Sequence, residues 1–416
     1  MTIARRRLSQ GDLSLFAIAH ARLAEGKAGG RRLVLKFVDL SGLNLEGLLL
    51  DDADFTGSSL EGCKMAGARL ERAVLFGCDL RGADMAGANL RRADIRGACL
   101  QGANLAGADL TQADFREGVI AVPHETKGLA AMRHETRGGQ ADGAQFSGAT
   151  LDGSRFDGVS AHKADFTDCS MVGACLTGAN LKDADLSGCN MEGAQVRGAN
   201  LAGARLIGAV VRGVAMQTAR LDKTDMTDCL GDVSEAAIAK ADSLVDKALD
   251  ANAWAESGGV FGEPAVFDGE DLRPLAGRLR GLKLPALSAR GACLVGLDLK
   301  GLFLQGANLE KADMRGVDLS GADLRGARMG GANLSKAILR GAQMGPLPLG
   351  GGRSLPASLI DTKMRYAQLT GADLTRAALD RADLSGAELT DAVLEGASVA
   401  GARFDRATGV EQAEAA

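Results

Sequence analysis

The sequence predicts a mainly β chain of short extended pieces joined by sharp corners, with two short helices set into it. Three observations carry that prediction. A large apolar residue falls on nearly every fifth position over most of the chain. Glycine is abundant at 57 residues, while aromatics make up only 3%. Two segments drop the rhythm and show helical spacing instead.

The period comes first. From Leu35 the apolar centres run Leu40, Leu45, Leu50, Phe55, Leu60, Met65, Leu70, Leu75 and on to Phe115. Two residues before most centres stands a small residue, as at Ala53, Ala68, Ala73 and Ala83, and between the two Asp or Asn is favoured, as at Asp84, Asn89 and Asp94. A period of five suits neither a helix nor a continuous strand. Residues two apart share a face of an extended piece, so the small residue and the centre both point inward. Five is odd, so a corner must reset the alternation after each unit. The frequent Gly two places past the centre tolerates the positive φ of such a corner. The intervening Asp or Asn then points outward, where its side chain can accept from backbone N–H groups.

The unit Ala-(Asp/Asn)-Leu-x-Gly resembles the pentapeptide-repeat family over most of residues 33–408. The resemblance implies a right-handed, four-sided parallel β-helix, with four units to a coil and coils stacked at the strand spacing of about 4.8 Å. Residues twenty apart should therefore lie on one face, such as Phe55, Leu75, Ile95 and Phe115, or Phe146, Phe166, Leu186 and Leu206. Each buried Leu contributes roughly 1.5–3 kcal/mol, offset by chain entropy.

The rhythm has three runs, centred on Leu35–Phe115, Phe146–Met226 and about Phe267–Phe404, and the second stands one residue out of phase with the first. Residues 116–143 and 227–264 interrupt it. In the latter, Ile238, Leu244, Val245, Ala248, Leu249 and Trp254 approximate an amphipathic helix, with Ser234 as N-cap and Gly258-Gly259 as its stop. LSLFAIAHARLAEG near the N-terminus has the same pattern and also ends at paired glycines, Gly29-Gly30. After each helix the first units carry large residues where Ala later sits: Leu33, Val38, Leu43 and Leu48, then Leu282, Leu287, Leu297 and Leu302. A β-helix end exposes apolar side chains and unpaired edges that must be capped. The sequence is therefore read as two capped units, 1–230 and 231–416, against the alternative of one solenoid with a side insertion. GPLPLGGGRSLPAS at 345–358 keeps the five-residue phase on both sides and is read as a coil with a bulged corner.

The stretch that most suggests chemistry is HETKGLAAMRHETRGG, residues 124–139, which repeats His-Glu-Thr. A zinc-protease helix needs its two histidines within one turn, and these stand ten apart. A convergent metal site with His162 is the weaker alternative to a solvated insertion loop within 116–143. The loop is the candidate contact region, through His124, Glu125, Lys127, Arg133, His134, Glu135 and Arg137. Cys169 and Cys189 fall at the small position one coil apart, with Met171 and Met191 beside them, and so could form a soft-metal patch. They are better read as small and large apolar fillers. Cys63 and Cys78 occupy the same slot, whereas Cys175 and Cys293 fall at the outward position and are candidates for reactivity. Outward columns mix signs, with a modest basic cluster at Arg91, Arg92, Arg96 and Arg116. No phosphate loop, triad or CxxC framework stands out.

A formal net charge of −5, from 48 basic and 53 acidic residues, implies no strong nucleic-acid or membrane footprint. No apolar run approaches the roughly 18 residues of a membrane span. The basic, apolar start faintly imitates a signal peptide, but its internal copy argues for a cap, so a cytoplasmic location is expected. The expectation is a non-catalytic scaffold that needs no cofactor or metal and binds a protein of unknown identity. Direct nucleic-acid binding is not expected, and the oligomeric state is open. The family resemblance supplies an alternative, a DNA-mimicking modulator of a type II topoisomerase such as gyrase. Two departures weigh against it: the columns are not uniformly acidic, and RATGVEQAEAA after Phe404 is short for the dimerisation module of those relatives.

Overall fold

The computed structural model of the chain describes residues 5–124 and 128–409, and side chains throughout these except 121–133. It divides into two compact units, Met1–Asp232 and Val233–Ala416. Each unit is built on a parallel β ladder of single-residue rungs. In the first, Val34 bridges Asp54, Asp39 bridges Ser59, Asn44 bridges Lys64 and Leu49 bridges Arg69, each a step of twenty residues along the chain. Four columns of bridges therefore accompany each coil.

The bonding explains the period. Leu35 N–H donates to Asp54 O at 2.7 Å, and Asp54 N–H returns to Leu33 O at 3.0 Å. Between rungs the chain turns: Leu43 N–H closes on Leu40 O at 3.0 Å, with Gly42 at φ 74° in the third place of the turn. That φ identifies a turn that Gly makes without strain. The outward Asp and Asn do what the spacing predicts. Asp109 Oδ1 accepts from Thr111 N–H at 3.0 Å and Asp94 Oδ1 from Arg96 N–H at 3.2 Å. Inward-facing Leu, Met, Phe and Ala fill the bore and are almost wholly buried. Where Cys or Ser replaces Ala, the Sγ or Oγ can reach back to the preceding coil, as Cys63 does to Leu40 O at 3.0 Å and Ser58 to Leu35 O at 2.7 Å, whereas the buried Ser154 Oγ makes no hydrogen bond.

The first unit opens with strand β1 (Arg6–Arg7) and helix α1 (Gln10–Ala24). Ser9 caps α1 by accepting from Asp12 N–H, and the Asp12 carboxylate returns to Ser9 N–H, so the first turn is satisfied reciprocally. Leu13, Ala17 and His20 form its buried face. Hydrogen bonds then close the open edge of the first coil at three places. Strand β1 pairs in parallel with β2 (Val38–Asp39), and Leu8 N–H adds a bond to Asp39 O. The Gln10 carboxamide imitates a strand: its Nε2 donates to Asn44 O and its Oε1 accepts from Asn44 N–H, both at 2.9 Å. His20 takes the Leu33 N–H on Nδ1 at 3.0 Å, so its proton sits on Nε2, which donates to Asp51 O at 2.9 Å. The sequence singled out neither Gln10 nor His20.

The stretch 116–143, expected as a loop, is mostly an antiparallel hairpin of β3 (Gly118–His124) and β4 (Gly128–Arg137). Its β-branched Val-Ile-Ala-Val run favours a strand over an irregular loop. The ladder resumes beyond it, and the bridge step widens to 41 residues, as in Cys99 to Gln140 and Asp114 to Arg155. Phe115 is accordingly followed on its own column by Phe156, with stacked rings 4.2 Å apart. Phe146 and Phe166 stack at 4.8 Å, as their twenty-residue spacing predicts. Edge contacts near 6 Å between the two stacks fill the bore beneath the hairpin.

The second unit opens with α2 (Glu235–Glu256), capped by Ser234 as predicted. Its Ala241, Leu244, Val245, Ala248 and Ala251 join one cluster with Phe267, Leu272, Leu275 and Leu279. The first coil there is two residues longer, stepping 22 from Val266 to Ser288, and contains a 3-10 turn at Arg273–Leu275. From Lys283 the step returns to twenty. A cavity of about 10 Å³ among Phe267, Leu284, Leu299 and Leu304 marks the leucine-rich layer. It has room for no more than about one water. The bulged corner expected at 345–358 is instead a second hairpin, β5 (Leu347–Gly350) with β6 (Arg353–Leu355), and the step across it is 30 residues, from Arg328 to Ser358. Among the described residues no helix is long and apolar enough to cross a membrane.

Replacing His20 with Ala strips the buried Leu33 N–H of its acceptor, at a cost of roughly 1–3 kcal/mol. Urea unfolding followed by circular dichroism should show the first unit losing stability by that order. An unchanged midpoint would mean that water replaces the imidazole at no cost.

Candidate functional site

The outward positions of the ladder are occupied largely by side chains that serve their own turns, so the two hairpins are the main departures from its surface. The β3–β4 hairpin leaves the first unit at the corner after Phe115 and folds back over the same corner of earlier coils. Those corners are Gly57, Gly77 and Gly97, twenty residues apart. A Cβ at Gly77 would stand 2.6 Å from Ile120 Cδ1, and one at Gly97 3.2 Å from Arg137 O. The absent side chains thus form a track on which the hairpin lies. Ile120 is 3% exposed there. Arg137 fastens the far strand, its Nη1 donating to Gly77 O and its Nη2 to the Glu135 carboxylate, both at 3.1 Å.

Strand alternation sorts the sequence candidates. Ile120 pairs with Glu135 and Gly118 with Arg137, and this face turns to the coil. Val119 pairs with Thr136 and Ala121 with His134, on the outward face. His134 is exposed and Val119 is 58% exposed. Glu135 and Arg137 are therefore anchoring groups, while His134 faces solvent. His124 and Arg133 lie on strand backbone, at the partners of Gly128 and Val122, with side chains outside the described set. Glu125 and Lys127 lie outside the described residues altogether. The β5–β6 hairpin repeats the device. It leaves after Met344, and Leu347 Cβ lies 2.8 Å from where a Cβ on Gly326 would stand.

The metal groupings weighed as alternatives in the sequence can be followed only through their described side chains. His162 Nε2 is 3.3 Å from Asp183 Oδ2. Cys169 and Cys189 donate to Phe146 O and Phe166 O rather than toward each other. Among the described residues no group of three His, Cys, Asp or Glu could hold a metal ion. Burial pushes the Cys63 thiol up to about 11 and the Cys78 thiol up to about 12. Cys293, a candidate for reactivity, is also raised by burial, the opposite of activation. Cys175 donates to Asp157 Oδ1 at 2.8 Å.

The basic cluster is compensated. Arg96 binds Asp94 at 2.8 Å, Arg116 binds Asp114 at 2.6 Å and Arg91 binds Asp109 at 3.1 Å, while Arg92 Nε donates to Gln112. Arg81 binds Asp79 in the same manner. Burial alone would raise Asp79, Asp114, Asp271 and Asp323. The arginine two residues on and its N–H outweigh burial and hold each carboxyl below its ordinary value. A carboxyl depressed on folding adds stability above its unfolded pKa of about 3.9, and that stability is lost as pH falls through the lower folded value. The urea midpoint should therefore hold from neutrality to about pH 5 and fall below about pH 4. A midpoint that is flat to pH 3 or so would remove these forks from the stability account.

Comparison with known proteins follows the same repeat. The family model for pentapeptide repeats matches eight copies, over 34–72, 73–112, 144–183, 179–217, 292–331, 303–341 and 357–391. These segments together span more than half of the chain. Among solved structures the chain is similar to HetL, a pentapeptide repeat protein involved in heterocyst differentiation regulation in the cyanobacterium Nostoc. Identity is 22%, with 92% of this chain and 93% of HetL covered and a TM-score of 0.21. It is similar to QnrB1, a plasmid-mediated fluoroquinolone resistance protein, at 20% identity over 49% of this chain and 86% of QnrB1, with a TM-score of 0.26. A pentapeptide repeat protein of the Arabidopsis thaliana thylakoid lumen matches at 25% identity over 25% of this chain and 75% of its own, with a TM-score of 0.21. No curated protein matches.

Proposed function

We propose that this chain, which belongs to the pentapeptide-repeat family, is a non-catalytic scaffold that binds a protein partner through the outward face of its β3–β4 hairpin. The observation that carries the reading is the seating of that hairpin. Ile120 and Arg137 lock its inner face onto glycine corners, leaving Val119, His134 and Thr136 directed outward on a rigid support. An ordered strand pair can bind without first losing the entropy of a free loop. The filled bore, with its cavity of about 10 Å³, favours surface recognition over enclosed chemistry. Family membership also supports a right-handed, four-sided form for the coils, and the separate apolar clusters behind α1 and α2 support two independently capped solenoids, 1–230 and 231–416.

Affinity capture from native extract should recover a partner with the full chain and lose it with Val119→Asp combined with His134→Asp. Recovery of the same partner by that variant would exclude the hairpin face as the contact.

The gyrase reading ranks second. A DNA mimic needs a continuous acidic surface, whereas Asp79, Asp94, Asp114, Asp313 and Asp323 are each bound by the arginine two residues on. The purified chain should neither inhibit supercoiling by gyrase nor protect the enzyme from a quinolone. Inhibition in the micromolar range would reverse the order of the two readings.

A further inference from the structure

Helix α1 has an outer face that its capping role does not explain. Opposite the buried Leu13, Ala17 and His20 stand Leu15 and Ile18, exposed by 70% and 54%, with Phe16 and Leu23 on the flank at 46% and 47%. A surface helix ordinarily turns polar residues outward, and one that is apolar all round is covered by something. The second cap shows that the end of a coil does not require this. Helix α2 buries its Ala and Leu face in the same way and exposes Ile238 and Leu249, yet the rest of its solvent side is polar, with Asp242, Ser243, Asp246, Lys247 and Asp250.

Charge around α1 is equally distinctive. Residues 5–32 hold seven basic side chains, Arg5, Arg6, Arg7, Arg22, Lys27, Arg31 and Arg32, against two acidic ones, Asp12 and Glu25. The whole chain is nevertheless net negative at −5. Both carboxylates are engaged, Asp12 by the Ser9 cap and Glu25 by Lys27 at 2.6 Å. Arg6, Arg7, Arg22 and Arg31 are exposed, at both ends of the helix and on its outer face. Arg6 and Arg7 lie near the Asp12 and Asp39 carboxylates, yet basic groups outnumber acidic ones over residues 5–32, and an apolar ridge so bordered selects an anionic counterpart. A second copy of the same end would bring like charges together. An exposed apolar helix face suits a surface that yields around it.

We propose that α1 docks this chain onto an anionic lipid surface, with Leu15, Phe16, Ile18 and Leu23 entering the headgroup boundary and the flanking arginines meeting lipid phosphates. The helix lies in the plane of the interface and spans nothing. Attraction and insertion act together, as peripheral anchoring requires. The overall charge balance conceals this, since the acidic remainder of the chain outweighs residues 5–32.

Vesicle co-sedimentation of the full chain tests it. Binding to mixed phosphatidylcholine–phosphatidylglycerol vesicles is expected, with none to phosphatidylcholine alone and weakening as salt is raised. Leu15→Ser with Ile18→Ser, both solvent-facing, should reduce binding by about tenfold or more with the thermal midpoint unchanged. Arg6→Glu with Arg31→Glu should do the same, whereas Leu249→Ser on α2 should bind as the parent does. Four outcomes overturn the proposal, the first three being no binding to anionic vesicles, undiminished binding by the Leu15→Ser, Ile18→Ser variant, and retention on immobilised polyglutamate without vesicle binding, which would assign the face to an acidic protein. A dimer by light scattering that the serine variant dissolves would likewise overturn it in favour of self-association. The hairpin variant leaves this face intact, so failure here and failure of the hairpin reading are separable.

Discussion

Everything in this molecule depends on a backbone ladder whose rungs are single residues set twenty apart. Each rung must donate to the following coil, accept from it, and then surrender the chain to a corner. That requirement leaves little freedom. The inward positions are narrow, so Ala, Cys or Ser takes one and Leu, Met or Phe the other. Substitution inside the bore respects the ladder's own bonding: Cys63 and Ser58 fit because their Sγ and Oγ reach carbonyls of the coil behind. The outward Asp or Asn is drawn into the turn that follows it. Several arginines spend their charge locally, as Arg96 and Arg116 do on the carboxylate two residues before, and others on a neighbouring coil, as Arg91 does on Asp109.

The same ladder makes an end costly, because the last coil presents peptide groups with no partner. Helix α1 meets this with unlike devices, a two-residue strand, a carboxamide that copies a peptide and an imidazole that accepts on one nitrogen and donates on the other. Helix α2 relies more on apolar packing, adding Asn252, which accepts from Lys283 N–H at 2.9 Å. Insertions obey a related restriction. Both hairpins leave at the corner two residues after an inward centre, Phe115 or Met344, and the rungs on either side continue to pair across steps of 41 and 30 residues. A corner is the one place where chain can be added without breaking a rung.

What was legible in the sequence follows from this physics. The period of five repeats so often that its inward Leu, outward Asp and corner Gly could be read directly, and the helix at 235–256 announced itself through Ser234 and the spacing of Leu244, Val245 and Ala248, although Ile238 and Leu249 of the same reading lie exposed. The hairpins were not legible as strands. Strands β3 and β4 pair with each other rather than with the ladder, and the repeated His-Glu-Thr drew attention to chemistry instead of to Val119 and Ile120. The anchoring role of Arg137 depends on Gly77, sixty residues away. His20 and Gln10 act on groups 31 and 34 residues further on, across a gap that no local pattern encodes. The sequence also showed arginines beside one another without showing that Asp94, Asp109 and Asp114 neutralise them.

A solenoid whose outward side chains are consumed by their own turns has little surface left for recognition. On the proposed reading, binding comes from where the repeat is interrupted or begun, since the β3–β4 hairpin and α1 hold outward side chains that serve no turn. Two such places differ in character. The β3–β4 hairpin is fastened by its inner face and presents a small, mixed outer face, which suits a shaped protein partner. Helix α1 is fastened in the same way, yet its outer face is apolar with arginines at either end, which suits a broad anionic surface. The contrast with α2 is one of degree: α2 exposes Ile238 and Leu249, whereas α1 exposes Leu15, Phe16, Ile18 and Leu23 in a helix seven residues shorter. Leu15 and Ile18, turned away from the coil, are the part of that face that packing within the chain does not explain.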